Sequence, residues 1–293
     1  MKLGILLAMC TLSCTAQVSD GTSITANEFA LKYGKVTTSN AQLDDSISSV
    51  TKVPVNFKFD PFYQKYLNAS GLAIVGSAEV SDEAFYKTRE IVMMMLRKSH
   101  VVKAKMIENN ARIAIIGKNQ ELTDLPEYSK IDKSINDRAR GLGGWVDFPL
   151  TSCGEENVLA LSTDRYNGED ILIHEFAHAI KMLGIIFIDR DFNDKLKSCY
   201  QNAITQGLWK DTYAISSEEE YFAEGVQSWF NVNSDVKKAD GIHNEIDTNS
   251  ELALYDPLLH NLIGRYFRND QNNKSMHFKK KMNSRWMHWD LKQ

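Results

Sequence analysis

The stretch "ILIHEFAHAI", Ile171 to Ile180, places two histidines and a glutamate inside a run that is otherwise apolar. A helix start at Asn167 and a stop at Gly184 put this stretch in the middle of a helix. Burying three polar side chains in an apolar helix is costly unless strong partners compensate them. The stretch therefore predicts a core helix that carries a functional site.

The spacing of the polar residues is that of a metal site. Positions i and i+4 share one face of a helix, so the rings of His174 and His178 can converge on one ion at about 2 Å from each. Glu175 projects beside them. This is the HExxH pattern, in which the histidines bind zinc and the glutamate acts on the metal's water. The alternative is a buried helix whose histidines are satisfied by backbone carbonyls.

A zinc site of this kind needs a third protein ligand. The segment after His178, "AIKMLGIIF", holds no histidine, which excludes the metzincin pattern. A second helical pattern, at 211–230, carries Glu220 and Glu224 at i and i+4. One carboxylate can bind the metal while the other supports a ligating imidazole from behind. Glu224 lies among apolar neighbours, which a merely solvated acidic helix start does not explain.

The two motifs together carry a family resemblance. "HEFAH" at 174–178 followed by "EYFAE" at 220–224, with Tyr213 seven residues before Glu220, resembles the catalytic domain of anthrax lethal factor and its relatives among the glutamate-ligand zincins. More broadly, "GLAIVGSAEVSDEA", "ARGLGG", "CGEEN" and "ELALYDPLL" are similar to segments of a group of exported metallopeptidase-like proteins, over about 60 to 265. The receptor-binding and substrate-docking domains of lethal factor have no counterpart, so its substrate preference is not implied.

The resemblance implies a set of site residues and an activity. Zinc is expected on His174, His178 and Glu220, with Glu175 as general base and acid. Tyr213 is expected to donate a hydrogen bond in the transition state. Glu224, one turn beyond Glu220, is expected to orient a ligating histidine. The implied function is a zinc-dependent endopeptidase that hydrolyses peptide or protein substrates.

The N-terminus has the layout of a secretory signal peptide. Lys2 precedes the apolar stretch "LGILLAMCTL", and small residues lead up to Ala16, which predicts removal of residues 1–16. Residues 17–52, rich in Ser, Thr, Asp and Asn, predict a flexible leader or pro-segment, and 53–293 form the expected metallopeptidase domain. We therefore expect a secreted, extracellular protein, or a periplasmic one in a bacterium.

The cysteines allow two interpretations. Four cysteines occur in the chain, and two of them leave with the signal peptide. Export then predicts a disulfide between the remaining two, Cys153 and Cys199. Alternatively, Cys153 in "TSCGEEN" is the third zinc ligand of a different hydrolase, somewhat as in peptide deformylases. A further alternative is a secreted protein that binds zinc without turnover.

Composition argues against two classes of partner. The net charge is −4 and Lys and Arg are scattered, so no nucleic-acid footprint is visible. Apart from the N-terminal stretch, no segment predicts a membrane span. The pattern along the chain predicts an α+β fold, which the resemblance specifies as a zincin-like metallopeptidase domain with a small mixed sheet and an HExxH active-site helix.

Local signals place some elements of that fold. Ser81, followed by acids at 82 and 83, predicts a helix start. Apolar runs predict strands in 71–80, 112–117 and 157–161. The glycine-rich stretch 138–157 predicts a tight turn or a close approach of the backbone beside a cleft.

Overall fold

The computed structural model describes residues 49–269 and 273–280, and within them the fold is α+β, as expected. The strands are β1 (Lys65–Ala69), β2 (Leu72–Gly76), β3 (Arg112–Ile116), β4 (Gly141–Leu142) and β5 (Leu150–Gly154). The helices are α1 (Asp82–Met95), α2 (His100–Glu108), α3 (Glu155–Val158), α4 (Ile171–Ile180), α5 (Phe192–Gln206), α6 (Glu218–Trp229), α7 (Asn249–Tyr255) and α8 (Pro257–Ile263).

The strands form one mixed sheet in the order β1-β2-β3-β5-β4. A hairpin through Ser70 and Gly71, both with positive φ, joins the antiparallel strands β1 and β2. The strands β2, β3 and β5 run parallel, and α1 and α2 provide the crossover between β2 and β3. Strand β4 pairs antiparallel with β5 and ends the sheet.

The two faces of the sheet bury different cores. The long helices cover one face, where Ile74, Ile113 and Cys153 join their apolar side chains. Aromatic residues and short 3₁₀ turns cover the other, where Val75 and Ala114 lie. Because β2, β3 and β5 are buried on both faces, they read as continuous apolar or small-residue runs rather than as alternating patterns.

Several local predictions can be compared with these elements. Ser81 caps α1 by accepting a hydrogen bond from the backbone N–H of Ala84, as its sequence position indicates. The strands expected in 71–80 and 112–117 are β2 and β3. The strand expected at 157–161 is wrong: Glu155–Val158 is a helix, and the strand is Leu150–Gly154, inside the stretch expected to be turns.

The motif helix differs from its predicted bounds at both ends. It begins at Ile171, where the side chain of Asp170 accepts a hydrogen bond from the backbone N–H of Ile173, and not at Asn167. Gly184 does not end it, because the helix continues through a π-helical segment, Lys181–Ile185, and a last turn to residue 188. This continuous helix, 171–188, is long and apolar enough to cross a membrane by composition, but 67% of it is buried inside the fold, as in a core helix.

The N-terminal predictions fall mostly outside the described residues. The signal peptide at 1–16 and residues 17–48 of the predicted leader belong to that part of the chain. The last residues of the leader are described, and Thr51 exchanges two backbone hydrogen bonds with Tyr66 of β1, at 2.9 and 2.8 Å. The chain therefore joins the sheet just before residue 53, where the metallopeptidase domain is expected to begin.

Candidate metal centre

Helix α4 carries the two histidines into the protein interior. It packs between β5 and α6, and its apolar side chains join the core on the helical side of the sheet. His174 and His178 retain only 7% and 9% of their exposure, whereas Glu175 between them is partly exposed. The i, i+4 spacing therefore gives two nearly buried imidazoles and one carboxylate that solvent can reach.

Helix α6 brings the third group. Ser217 caps it by accepting from the backbone N–H of Glu220 at 3.2 Å, and acids fill its first turn, where the helix dipole favours negative charge. Because α6 packs on α4, the first-turn Glu220 lies opposite the two histidines. A strong helix start thus places a carboxylate beside two buried imidazoles.

Three ligand atoms converge at this point. Glu220 Oε2 lies 3.0 Å from His174 Nε2 and 3.5 Å from His178 Nε2, and the two Nε2 atoms lie 3.2 Å apart. Ligands bound at about 2.0–2.1 Å to a tetrahedral ion lie about 3.3 Å from one another, so the three separations fit one ion. The residues His174, His178 and Glu220 are therefore a group that could hold a metal.

The electrostatics of the group favour a cation. Burial lowers the pKa of His174, but the carboxylates of Glu220 and Glu224 outweigh burial and hold that pKa well above its usual value. Burial raises the pKa of Glu220, but the two imidazoles outweigh burial and hold it below its usual range. The carboxylates thus stabilise added positive charge at His174, and the imidazoles keep Glu220 ionised. A bound metal ion supplies that charge without protonating the ligands.

Glu175 lies at the side of the group, next to the edge strand. Burial raises its pKa above the usual glutamate value, against the lowering effects of the two imidazoles and of the backbone N–H of Gly143. Added Cβ atoms at Gly141 and Gly143 would meet Glu175 Cγ at 3.2 Å and His178 Cβ at 2.6 Å. The glycine-rich stretch therefore approaches the helix closely, as its composition predicts.

Tyr213 closes the same site from the segment before α6. It begins a 3₁₀ turn, Tyr213–Ser216, and its ring stacks on His174 with centroids 6.4 Å apart. Burial, followed by the charge of Glu220, raises its pKa, so the phenol stays protonated and able to donate. Its backbone N–H donates to the carbonyl of Ile242 at 2.8 Å, so a distant loop holds this segment in place.

Two side chains approach the outer nitrogen of His174. Glu224 Oε1 lies 3.3 Å from Nδ1, and Asn233 donates to the other oxygen of Glu224 at 3.0 Å. Gln227 Oε1 is nearer to Nδ1, at 2.9 Å. Sequence reasoning missed Gln227, although Glu220, Glu224 and Gln227 follow one another at i, i+4 and i+7 on one helix face.

The predicted disulfide is wrong. Cys153 and Cys199 are free cysteines rather than a disulfide. Cys153 is buried in β5, where its sulfur lies 3.8 Å from Asn157 Oδ1, while Cys199 is partly buried on α5 among the helices. Burial raises the pKa of the Cys153 thiol well above its usual value, which disfavours the thiolate that zinc requires. Cys153 is also not among the three converging ligands.

Comparison with known proteins adds little to this geometry. No protein-family model matches the chain, and no curated protein sequence matches it. Among solved structures, the Pro-Pro endopeptidase PPEP-2 from Paenibacillus alvei is similar, with 15% sequence identity and a TM-score of 0.46. The match covers 66% of this chain and 97% of that chain. A likeness of this size assigns no activity, so the functional conclusion depends on the site itself.

Proposed function

We propose that this chain is an exported zinc-dependent endopeptidase of the glutamate-ligand type, with zinc bound by His174, His178 and Glu220. The arrangement of the two Nε2 atoms and Glu220 Oε2 carries the proposal. A neutral imidazole has one N–H, and His174 Nδ1 faces two side-chain oxygens, Gln227 Oε1 and Glu224 Oε1, that need a donor. Its Nε2 lone pair is then left facing a carboxylate and another imidazole, which an ion bound between them would compensate.

The donor set suits zinc. Two imidazole nitrogens and one carboxylate oxygen are the protein ligands of one common class of catalytic zinc site, in which the fourth position stays open. Glu175, Tyr213 and Glu220 are partly exposed, so the ligand group borders solvent on the side where Glu175 and Tyr213 lie. A substrate can therefore reach the open position. Export is supported by the signal-peptide layout of residues 1–16.

The neighbouring residues supply the proton chemistry of hydrolysis. Bound zinc would provide a Lewis acid that activates water and polarises a peptide carbonyl. Glu175, whose pKa is raised by burial, accepts the proton of the attacking water and later passes it to the leaving amine. Tyr213, kept protonated, donates a hydrogen bond to the oxyanion that develops on the carbonyl oxygen.

The test combines metal content with hydrolysis of an unbiased peptide library. Wild-type protein is expected to bind one zinc per chain and to lose hydrolysis on chelation, with recovery when zinc is added back. Glu175→Gln is expected to keep zinc and to lose at least about 100-fold in turnover, because the proton acceptor is gone. Glu83→Gln, on the exposed start of α1, is the matched control.

The outcomes separate the alternatives. Stoichiometric zinc with no hydrolysis of any peptide in the library supports a zinc-binding protein without turnover and contradicts the proposal. Full hydrolysis by Glu175→Gln contradicts the assigned base while leaving the metal site in place. If protein prepared with zinc in the medium contains no zinc, both the proposed metal site and the proposed hydrolysis are contradicted.

A further inference from the structure

A buried chain of polar side chains runs outward from the metal centre. Gln227 Oε1 lies 2.9 Å from His174 Nδ1, and Gln227 Nε2 donates to Glu169 Oε2 at 3.3 Å and to the carbonyl of Asp170 at 3.2 Å. Glu169 Oε2 in turn lies 3.2 Å from His243 Nε2. Gln227 is fully buried, and Glu169 retains 5% exposure.

The partners of Gln227 fix the direction of its amide. The carboxylate of Glu169 and the carbonyl of Asp170 only accept hydrogen bonds, so the NH₂ group of Gln227 must face them. Its carbonyl oxygen is then left to face His174 Nδ1. A flipped amide would put an oxygen against these two acceptors and leave both buried contacts mismatched.

The direction of the Gln227 amide determines which ring nitrogen of His174 carries a hydrogen. Gln227 Oε1 can only accept, so Nδ1 must carry a hydrogen, and in the neutral ring Nε2 then presents its lone pair. We infer that Gln227 is a positioning residue which, oriented by Glu169 and His243, holds His174 in the tautomer whose Nε2 binds zinc. This inference rests on the proposed zinc site but not on the proposed hydrolysis.

Gln227 differs from Glu224 in what it adds to this site. Both place an oxygen near Nδ1, but Glu224 is further away and accepts from Asn233 at 3.0 Å through its other oxygen. Gln227 is neutral and nearer, and its own NH₂ group is held by two acceptors on the chain just before α4. Gln227, on α6, therefore links the α4 ligand His174 to the residues just before the first turn of that helix.

The first experiment measures zinc affinity by competition with a chelating dye. Gln227→Leu keeps the approximate volume and removes both hydrogen-bonding groups, so the dissociation constant for zinc is expected to rise by about 10-fold to 100-fold. Tyr221→Phe is the matched control, since Tyr221 is buried on the same helix. Its hydroxyl donates a 2.5 Å hydrogen bond to Asp256, which is not one of the metal ligands. Tyr221→Phe is expected to lower the melting temperature and leave zinc affinity unchanged.

A second pair of variants tests the direction of the amide even if Gln227→Leu does not fold. Gln227→Glu keeps an acceptor at His174 but sets two carboxylates against each other at Glu169, so zinc binding is expected to weaken. Adding Glu169→Gln returns a donor to that contact and is expected to recover part of the affinity. Failure of the double variant to recover any affinity, or wild-type affinity in Gln227→Leu, would overturn the inference. Equal weakening by Tyr221→Phe would reduce the role of Gln227 to general packing.

These readouts keep the two proposals apart. Wild-type protein that binds zinc but cleaves no peptide would contradict the proposed function and leave the positioning role measurable. Wild-type zinc affinity in Gln227→Leu, with normal hydrolysis by the wild type, would contradict only the positioning role.

Discussion

Buried charges lie on both faces of the sheet, but they are compensated in different ways. On the aromatic face, Arg112 Nη2 lies 2.5 Å from Glu127 Oε1, and Tyr63 donates to the other oxygen of Glu127 at 2.5 Å. On the helical face, Glu220 faces His174 and His178, whose facing nitrogens can both be acceptors. The first group is satisfied by a permanent cation within the chain. The second is satisfied only when a proton or a metal ion is added.

This difference separates a structural charge from a ligand site. A buried ion pair adds little net stability, but removing one partner is costly because the other charge stays buried. A set of converging acceptors differs from an ion pair, because the free-energy cost of burying it is removed only when a proton or a metal ion binds. The two faces are therefore expected to respond differently when a carboxylate is removed from each.

The largest loss of stability is expected from Glu127→Ala on the aromatic face. The change removes the carboxylate that neutralises Arg112, so the free energy of unfolding is expected to fall by about 3–5 kcal/mol. Urea unfolding measures the fall, and Glu83→Ala on the exposed start of α1 is the control. Zinc affinity is expected to stay within about twofold of wild type. A matching loss of zinc affinity would contradict the separation of the two faces.

Glu220→Ala is expected to cause a large loss of zinc affinity and a smaller loss of stability. Zinc-binding free energies of about 10–16 kcal/mol shared by four ligands correspond to about 2.5–4 kcal/mol each, so affinity is expected to fall by about 60-fold to 900-fold. Competition with a chelating dye measures the fall. The stability of the metal-free protein is expected to change less than in Glu127→Ala. Stoichiometric, tight zinc in Glu220→Ala would assign the third ligand elsewhere.

A titratable pair at the outer end of the helical face sharpens the comparison. Burial lowers the pKa of His243, but Glu169 outweighs burial and the pKa rises from 6.5 to about 9. A raised pKa adds stability that is fully present below pH 6.5 and is lost as the pH rises through about 9. The contribution is about 3 kcal/mol at most.

The measurement compares urea unfolding of metal-free wild type and His243→Gln at pH 6, 7.5 and 10. The stability advantage of the wild type is expected to be largest at pH 6 and to disappear by pH 10. An advantage that does not change with pH would show that His243 contributes through packing or a neutral hydrogen bond alone.

The smallest effect is expected from Gly143→Ala at the edge strand. The added methyl group would lie 2.6 Å from His178 Cβ and 3.0 Å from the carbonyl oxygen of Glu175, so the backbone must move. A loss of about 1–3 kcal/mol in stability is expected, with reduced turnover because the backbone beside Glu175 moves too. Gly117→Ala meets only the Gln120 side chain and is the control. Unchanged turnover in Gly143→Ala would show that this close approach has no part in catalysis.

The sequence was sufficient to predict those elements and site residues whose signal lies in neighbouring residues. The cap at Ser81 and the apolar runs of β2 and β3 predicted a helix and two strands that the structure contains. The HExxH spacing predicted that His174 and His178 share a face, because helix geometry alone determines this. The position of Glu220 opposite them followed from a resemblance, and the structure brings the three ligand atoms together.

The sequence was insufficient to predict features that depend on contacts between residues far apart in the chain. Strand β5 reads as a turn because it is built of Thr, Ser, Cys and Gly, and only its pairing between β3 and β4 makes it a strand. The disulfide was inferred from compartment, which says nothing about whether two cysteines meet. Gln227 and Glu169 are 58 residues apart, and Glu169 and His243 are 74 apart, so no local pattern indicates their contact.

The loop around Ile242 has a consequence for how this protein can be changed by mutation. The carbonyl of Ile242 accepts from the backbone of Tyr213, and the next residue, His243, reaches Glu169 behind the metal centre. The loop thus holds two parts of the proposed catalytic apparatus without lying among the converging ligands. In a laboratory selection for altered turnover, useful substitutions are therefore expected to accumulate at 240–244 as well as in the pocket. They would alter kcat more than KM, because the loop sets the spacing of reacting groups rather than the fit of the peptide.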